Sequence, residues 1–124
     1  MVNLLEQIRA ALDSLEPRLV GRVVDVEMPR LFVEADEAAG LRRALAALIE
    51  RGLAQYDGTL TVRTIKQRGL ARVEVTGERR ALAPTVPDWS DTVTHDVEAL
   101  RGSLETDGPV GWLSVPLAGS NAPE

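Results

Sequence analysis

Over residues 41–56 the apolar side chains Leu41, Ala44, Leu45, Leu48, Ile49, Leu53 and Tyr56 recur at three- and four-residue intervals, the spacing that lines one face of a helix. Strong helix formers fill the stretch, with no proline and one interior glycine, Gly52. The pattern predicts a helix laid on a sheet, capped by Asp36 and running to about Tyr56, with Arg42, Arg43, Glu50 and Gln55 turned elsewhere. A second helix is predicted over 4–15 by Leu4, Leu5, Ile8, Leu12 and Leu15; Asn3 and Glu6 stand at capping-box spacing before it and Pro17 stops it.

The period elsewhere is two. From Arg22, Val24, Val26 and Met28 point one way and Asp25 and Glu27 the other, which predicts a strand with one wet face; Pro29 interrupts it and 31–34 reads as a short extended segment. Asp57-Gly58 reads as a turn from helix to strand. A hairpin follows: a strand over 59–65 with Leu60, Val62 and Ile65 inward, a four-residue loop over 66–69, and a strand over 70–76 through Val73 and Val75. Residues 77–94 hold Pro84, Pro87 and no sustained period, so an irregular connection is expected, with a short strand near 80–83. Thr92 or Thr94 would cap a helix over 95–101 that Gly102 ends, and 103–106 and 112–117 would form a last hairpin around Asp107-Gly108. Helices on one face of a largely antiparallel sheet make a two-layer α+β sandwich with about three helices. It occupies 1–117 as one domain, with 118–124 a disordered tail.

Composition narrows the function classes. The chain has 124 residues, enough for one domain with a real core, and is 44% hydrophobic, which excludes a disordered tail region as the whole. Only 3% is aromatic, leaving the core to Leu, Val, Ala and Ile. A net charge of −5 argues against a general nucleic-acid or anionic-membrane binder, so a partner contact is expected to be local and shape-driven. No cysteine is present, which removes disulfides and thiol chemistry, and a single His leaves nothing from which to build a transition-metal site. No apolar run approaches the roughly 20 residues of a membrane span, and the first residues lack a signal peptide's basic-then-apolar order, so a cytoplasmic location is expected.

The stretch VEADEAAGLRRALAALIERGLAQYDGTLTVRT, followed by ARVEVTG and by HDVEALRGSLETDGPVGWLSVPL, resembles the ATP-binding domain of sensor histidine kinases, in the Bergerat-fold (GHKL) superfamily with gyrase-type and chaperone ATPases. The resemblance spans nearly the whole chain. It implies a histidine-kinase-like ATPase fold and a place in bacterial two-component signalling. Its active members carry two Asn on the long helix, one holding magnesium against the phosphates; those positions are Ala47 and Arg51 here. Alanine offers no ligand, and arginine can bind phosphate but not a cation. In ATPase relatives the earlier position holds a catalytic Glu, a role Ala47 also lacks. Glu50 matches a common acidic position, yet one carboxylate does not make a magnesium site. The first glycine box, Asp-x-Gly-x-Gly with its Asp on adenine, aligns with Thr76-Gly77-Glu78-Arg79-Arg80; Gly77 survives, the Asp does not, and Glu78 is out of register. The segment expected to supply the lid, 82–94, has no Gly-x-Gly, while Gly108 and Gly111 fit the family's final glycine turn.

What the resemblance then implies is a degenerate domain, a pseudokinase with vestigial pocket positions Ala47, Glu50, Arg51, Gly77, Gly108 and Gly111, no catalytic or metal residue, and no resident cofactor. Its work would be binding a protein of a signalling pathway: a kinase, a response regulator or a second copy of itself. Two alternatives stay open. In one the domain still binds ATP and magnesium and feeds a phosphoacceptor His on another chain or segment; in the other it is an anti-sigma-factor-type regulator. Among single residues, Arg51 reads as an exposed or ion-paired helix residue beside Glu50 or as a phosphate ligand, and His95 as an ordinary helix-start residue rather than a phosphoacceptor. Glu78-Arg79-Arg80 reads as a solvated turn or a docking patch. Trp89 either anchors a partner from an exposed loop or tucks back over the vacated pocket.

Overall fold

The computed structural model describes residues 2–34, 38–79, 89–107 and 110–118. In chain order these form β1 (Val2–Asn3), α1 (Leu4–Ser14), α2 (Glu16–Leu19), β2 (Val24–Glu27), β3 (Phe32–Val33), α3 (Ala38–Gln55), β4 (Tyr56–Gln67), β5 (Leu70–Arg79), α4 (Asp91–Ala99), β6 (Ser103–Asp107) and β7 (Val110–Pro116). The main sheet has five strands in the order β2-β4-β5-β7-β6, with β2 parallel to β4 and every other pair antiparallel. A small β1-β3 ladder sits beside it and is stitched on where Glu34 N–H donates to the Pro116 carbonyl at 3.1 Å. The expected two-layer α+β sandwich is therefore present, and no described helix is long and apolar enough to cross a membrane.

Helix α3 is the inner layer's spine. Its stripe Leu41, Ala44, Leu45, Leu48 and Ile49 is buried to 1% exposure or less, against Leu60, Val62, Val73, Val75 and Leu113 of the sheet. Each such leucine contributes about 1.5–3 kcal/mol when buried. A Cβ on Gly52 would strike Val75 Cγ1, so the interior glycine, a cost of about 1 kcal/mol to the helix, is what lets α3 settle onto β5. Two expectations for this helix fail. Gln55 is buried at 8% exposure because the last turn of α3 runs straight into β4, and Tyr56 is that strand's first residue instead of the helix's last. The expected cap Asp36 lies outside the described residues.

Helix α1 is capped as expected, the Asn3 side chain accepting from Glu6 N–H at 3.4 Å. Pro17 does not simply end it: it sits in the first turn of α2, where its missing N–H has no helical partner to lose. Asp57-Gly58 is not a free turn but a bulge inside β4, with the register to β5 shifting between Asp57 and Thr61 and Gly58 at φ 67°. The inward set of β4 is Leu60, Val62 and Thr64, not Ile65. Strict alternation puts Thr64 inside at 4% exposure, where its hydroxyl donates to Met28 Sδ at 3.8 Å. The hairpin loop is two residues, not four: Gln67 pairs with Leu70, and Arg68 and Gly69 both take positive φ (51° and 76°), as a type I′ turn requires. Strand β5 extends through Glu78 and Arg79, which were expected in a turn.

Helix α4 starts earlier than expected, capped by Ser90, whose Oγ accepts from Val93 N–H at 3.2 Å, rather than by Thr92 or Thr94. His95 consequently sits in mid-helix. At the far end Gly102 N–H donates to the Val97 carbonyl at 3.0 Å and Arg101 N–H to that of Glu98 at 3.0 Å, a Schellman closure with Arg101 at φ 58° as the left-handed residue. Gly102 was expected in that role; it is glycine for another reason, since a Cβ there would strike the Ser114 carbonyl oxygen. Ala118, assigned to a disordered tail, is buried at 3% exposure and donates to the Phe32 carbonyl at 2.9 Å. The expected strand at 80–83 and the turn at Gly108 lie outside the described residues.

Candidate functional site

A cleft of about 590 Å³ opens between α3 and the start of α4. Helix α3 supplies Arg43, Ala46, Ala47, Glu50, Arg51 and Ala54; Arg18 comes from α2, and Trp89, Ser90, Thr92 and Val93 from the approach to and first turn of α4. The alanine row is legible in the helical period. Positions 47, 50, 51 and 54 are three and four apart, so one face of α3 carries them all.

Three arginines reach this cleft in different states. Arg18 pairs with Glu50 at 3.4 Å, both side chains largely exposed, a contact that contributes little in water. Arg43 is held in a bidentate grip on Asp96, with Nε and one terminal nitrogen each 2.8 Å from a carboxylate oxygen. Asp96 is 8% exposed on its side chain, while Arg43 remains half in solvent. The hydrogen bonds from Arg43 hold the Asp96 carboxyl below its ordinary value; burial pulls it up, and the charges of Arg43 and His95 lower it further. Gly40 packs against this joint, where a Cβ would lie 3.4 Å from Asp96 Oδ1, an ordinary contact distance. Arg51 differs from both. Its Nε is buried with no hydrogen-bond partner among the described residues. Its stem lies 3.5 Å from where a Cβ on Gly111 would sit, and its guanidinium carbon is 5.1 Å from the centre of the Trp89 ring.

Among the positions singled out from the sequence, Ala47, Glu50 and Arg51 line one cleft and Gly111 lies beside Arg51. Gly77 does not join them. It packs on the β4 bulge, where a Cβ would meet Tyr56 Cβ at 2.9 Å and the Thr59 carbonyl at 3.1 Å. Gly108 lies outside the described residues. Trp89 takes the tucked position of its two readings, half-buried against Arg51. Glu50 pairs with Arg18, so Arg51 is not its ion-pair partner. Sequence reasoning missed Arg43 and Asp96 as a pair. They are 53 residues apart on two helices, and no local spacing marks them.

The fold invites a test for magnesium and nucleotide. A hard divalent cation takes oxygen ligands, and among the described residues this cleft offers one carboxylate, Glu50, already facing Arg18, beside the hydroxyl residues Ser90 and Thr92. No group of three or more His, Cys, Asp or Glu able to hold a metal ion occurs among the described residues. Among the described residues, this lining is poor in ligands for magnesium.

Comparison with known proteins agrees on the fold. No family model matches the sequence, and no curated protein matches it either. Solved structures do. The mycobacterial sensor histidine kinase MprB superposes with TM-score 0.72 at 16% identity, over 94% of this chain and 95% of that one. The Erythrobacter litoralis blue-light-activated histidine kinase EL346 gives 0.68 at 20% identity, over 97% of this chain and 47% of that one. The histidine kinase domain of the E. coli osmosensor EnvZ gives 0.62 at 13%, over 99% and 91%. The chain thus has the fold of a histidine kinase ATP-binding domain.

Proposed function

We propose that this chain is a signalling module in which the histidine-kinase ATP-binding fold no longer performs magnesium-dependent nucleotide chemistry and works by binding another protein. The observation that carries the reading is the place of Arg51. Its guanidinium group lies between Gly111 and Trp89 on the helix face from which an active domain of this fold would present a magnesium ligand. One turn earlier Ala47 presents a methyl group, and Glu50 is engaged by Arg18. A protein of the same signalling system is the partner this fold suggests: a kinase, a response regulator or a second copy. The competing reading is an active ATP-binding domain, and the open volume of the cleft is what favours it. Titration with a fluorescent ATP analogue, with and without magnesium, separates the two. No magnesium-dependent binding at micromolar concentrations is expected; micromolar affinity that requires magnesium would remove the proposal.

A further inference from the structure

Resting on the reading just given, we propose that the cleft between α3 and α4 is an oxyanion receptor: it takes a carboxylate or phosphate group presented by a partner polypeptide, held on Arg51 beside Trp89 with no divalent cation.

The arginines of the cleft carry the argument. Arg18 and Arg43 are each committed to an acid, whereas the Arg51 Nε has no acceptor among the described residues although it is shut off from solvent. Since Nε itself has no exposed surface, an oxyanion entering the cleft would meet the rest of the Arg51 guanidinium group, the part that lines it. Arg51 is also already positioned, with Gly111 against its stem and the Trp89 ring beside its guanidinium group, so little side-chain freedom remains to be lost on binding. Charge points the same way. Arg18 is balanced by Glu50 and Arg43 by Asp96, which leaves Arg51 as one net positive charge at the described lining, in a chain whose net charge is −5. A cleft opposite in sign to the rest of its surface concentrates anions. Its apolar wall, Ala46, Ala47 and Ala54, suits the methylene stem of an acidic or phosphorylated side chain, and about 590 Å³ has room for one. The planar fork of an arginine matches both oxyanions, and with the one carboxylate of the described lining, Glu50, engaged by Arg18, a direct contact is the available route.

Trp112→Phe leaves Trp89 as the sole tryptophan, since the chain has two. Its fluorescence is followed, with EDTA present and ionic strength fixed, against inorganic phosphate, N-acetyl-phosphoserine amide and N-acetyl-glutamate amide. The expected result is a saturable change with at least one of the two amino-acid probes. Arg51→Gln, with its circular dichroism unchanged, raises the apparent Kd at least tenfold; Arg51→Lys, which keeps the charge and loses the fork, falls between, and Arg63→Gln on the far face of the sheet has no effect. Tighter binding of the phosphoserine probe identifies a phosphorylated partner, and equal or tighter binding of the glutamate probe an acidic one. No saturable change with either, or a change that survives Arg51→Gln, overturns the receptor and leaves the loss of magnesium chemistry standing. Binding that appears only when magnesium is restored overturns both.

Discussion

The joint between α3 and α4 predicts an asymmetry that can be measured. Asp96 is 8% exposed and accepts two 2.8 Å bonds from an Arg43 that is 52% exposed. Removing Arg43 leaves a mostly buried carboxylate without its main donor, whereas removing Asp96 leaves a cation that turns into water at small cost. Deleting one partner of a fully buried pair costs about 3–5 kcal/mol. Because solvent reaches this pair from the Arg43 side, about 1.5–2.5 kcal/mol is expected for Arg43→Met and about 0.5–1 kcal/mol for Asp96→Asn, which keeps the volume and one acceptor. Urea unfolding followed by circular dichroism gives both, and the double variant isolates the pair from other contacts of Arg43. Acid sharpens the test. The Asp96 carboxyl is held below its ordinary value chiefly by the Arg43 hydrogen bonds. Its contribution is therefore fully present above about pH 4, the unfolded-state range, and is lost as pH falls through the lower folded value. Asp96→Asn should flatten that part of the acid limb. If Asp96→Asn costs as much as Arg43→Met, or leaves the acid limb unchanged, the account of this joint is wrong.

Other consequences are simpler to check. Gly52→Ala gains helix propensity yet drives a methyl into Val75, so a net loss of about 1–2 kcal/mol is expected in thermal unfolding, with partial rescue by Val75→Ala; a stabilised Gly52→Ala would contradict the packing of α3 on β5. Arg68→Asn puts a residue suited to positive φ into the two-residue turn and should stabilise by about 0.5 kcal/mol, read as a small rise in Tm. Asn3→Ala removes the cap of α1 and should cost about 0.5 kcal/mol, the low end for such caps because its 3.4 Å bond is long. Trp89→Ala removes the ring beside Arg51 and should leave Tm within about 2 °C, since the cleft is open; a large drop would make Trp89 a core residue rather than a lining one.

What could be read from the sequence follows from how local each determinant is. Helix α3 was legible because its buried stripe repeats with the helix period, and β2 because Val24, Val26 and Met28 alternate with Asp25 and Glu27. Thr64 was not, because hydrophobicity favours its neighbour Ile65 while backbone alternation decides the face. Ser90, Thr92 and Thr94 are all capable caps, and only the placement of Val93 and Val97 in the core fixes the start of α4 at the first. Gly52 read only as an interior glycine and Gly102 as a helix end; each is a place where another strand approaches too closely for a Cβ. At the site, Ala47, Glu50 and Arg51 came together because one helix face carries them. Gly77 stayed apart because the bulge before Leu60, which no local spacing announces, folds Tyr56 against it. The pairing of Arg43 with Asp96 depends wholly on tertiary placement.

The central claim is that this helix face, with Glu50 its one carboxylate and that engaged by Arg18, no longer seats a nucleotide-bound cation, and the most direct measurement places a paramagnetic cation there. Amide spectra of the ¹⁵N-labelled protein are recorded with AMPPNP and stoichiometric Mn²⁺. The account predicts no selective broadening of residues 46–54. Selective loss of the Ala47, Glu50 and Arg51 signals, reversed by EDTA, would show a metal seated beside the nucleotide and contradict it.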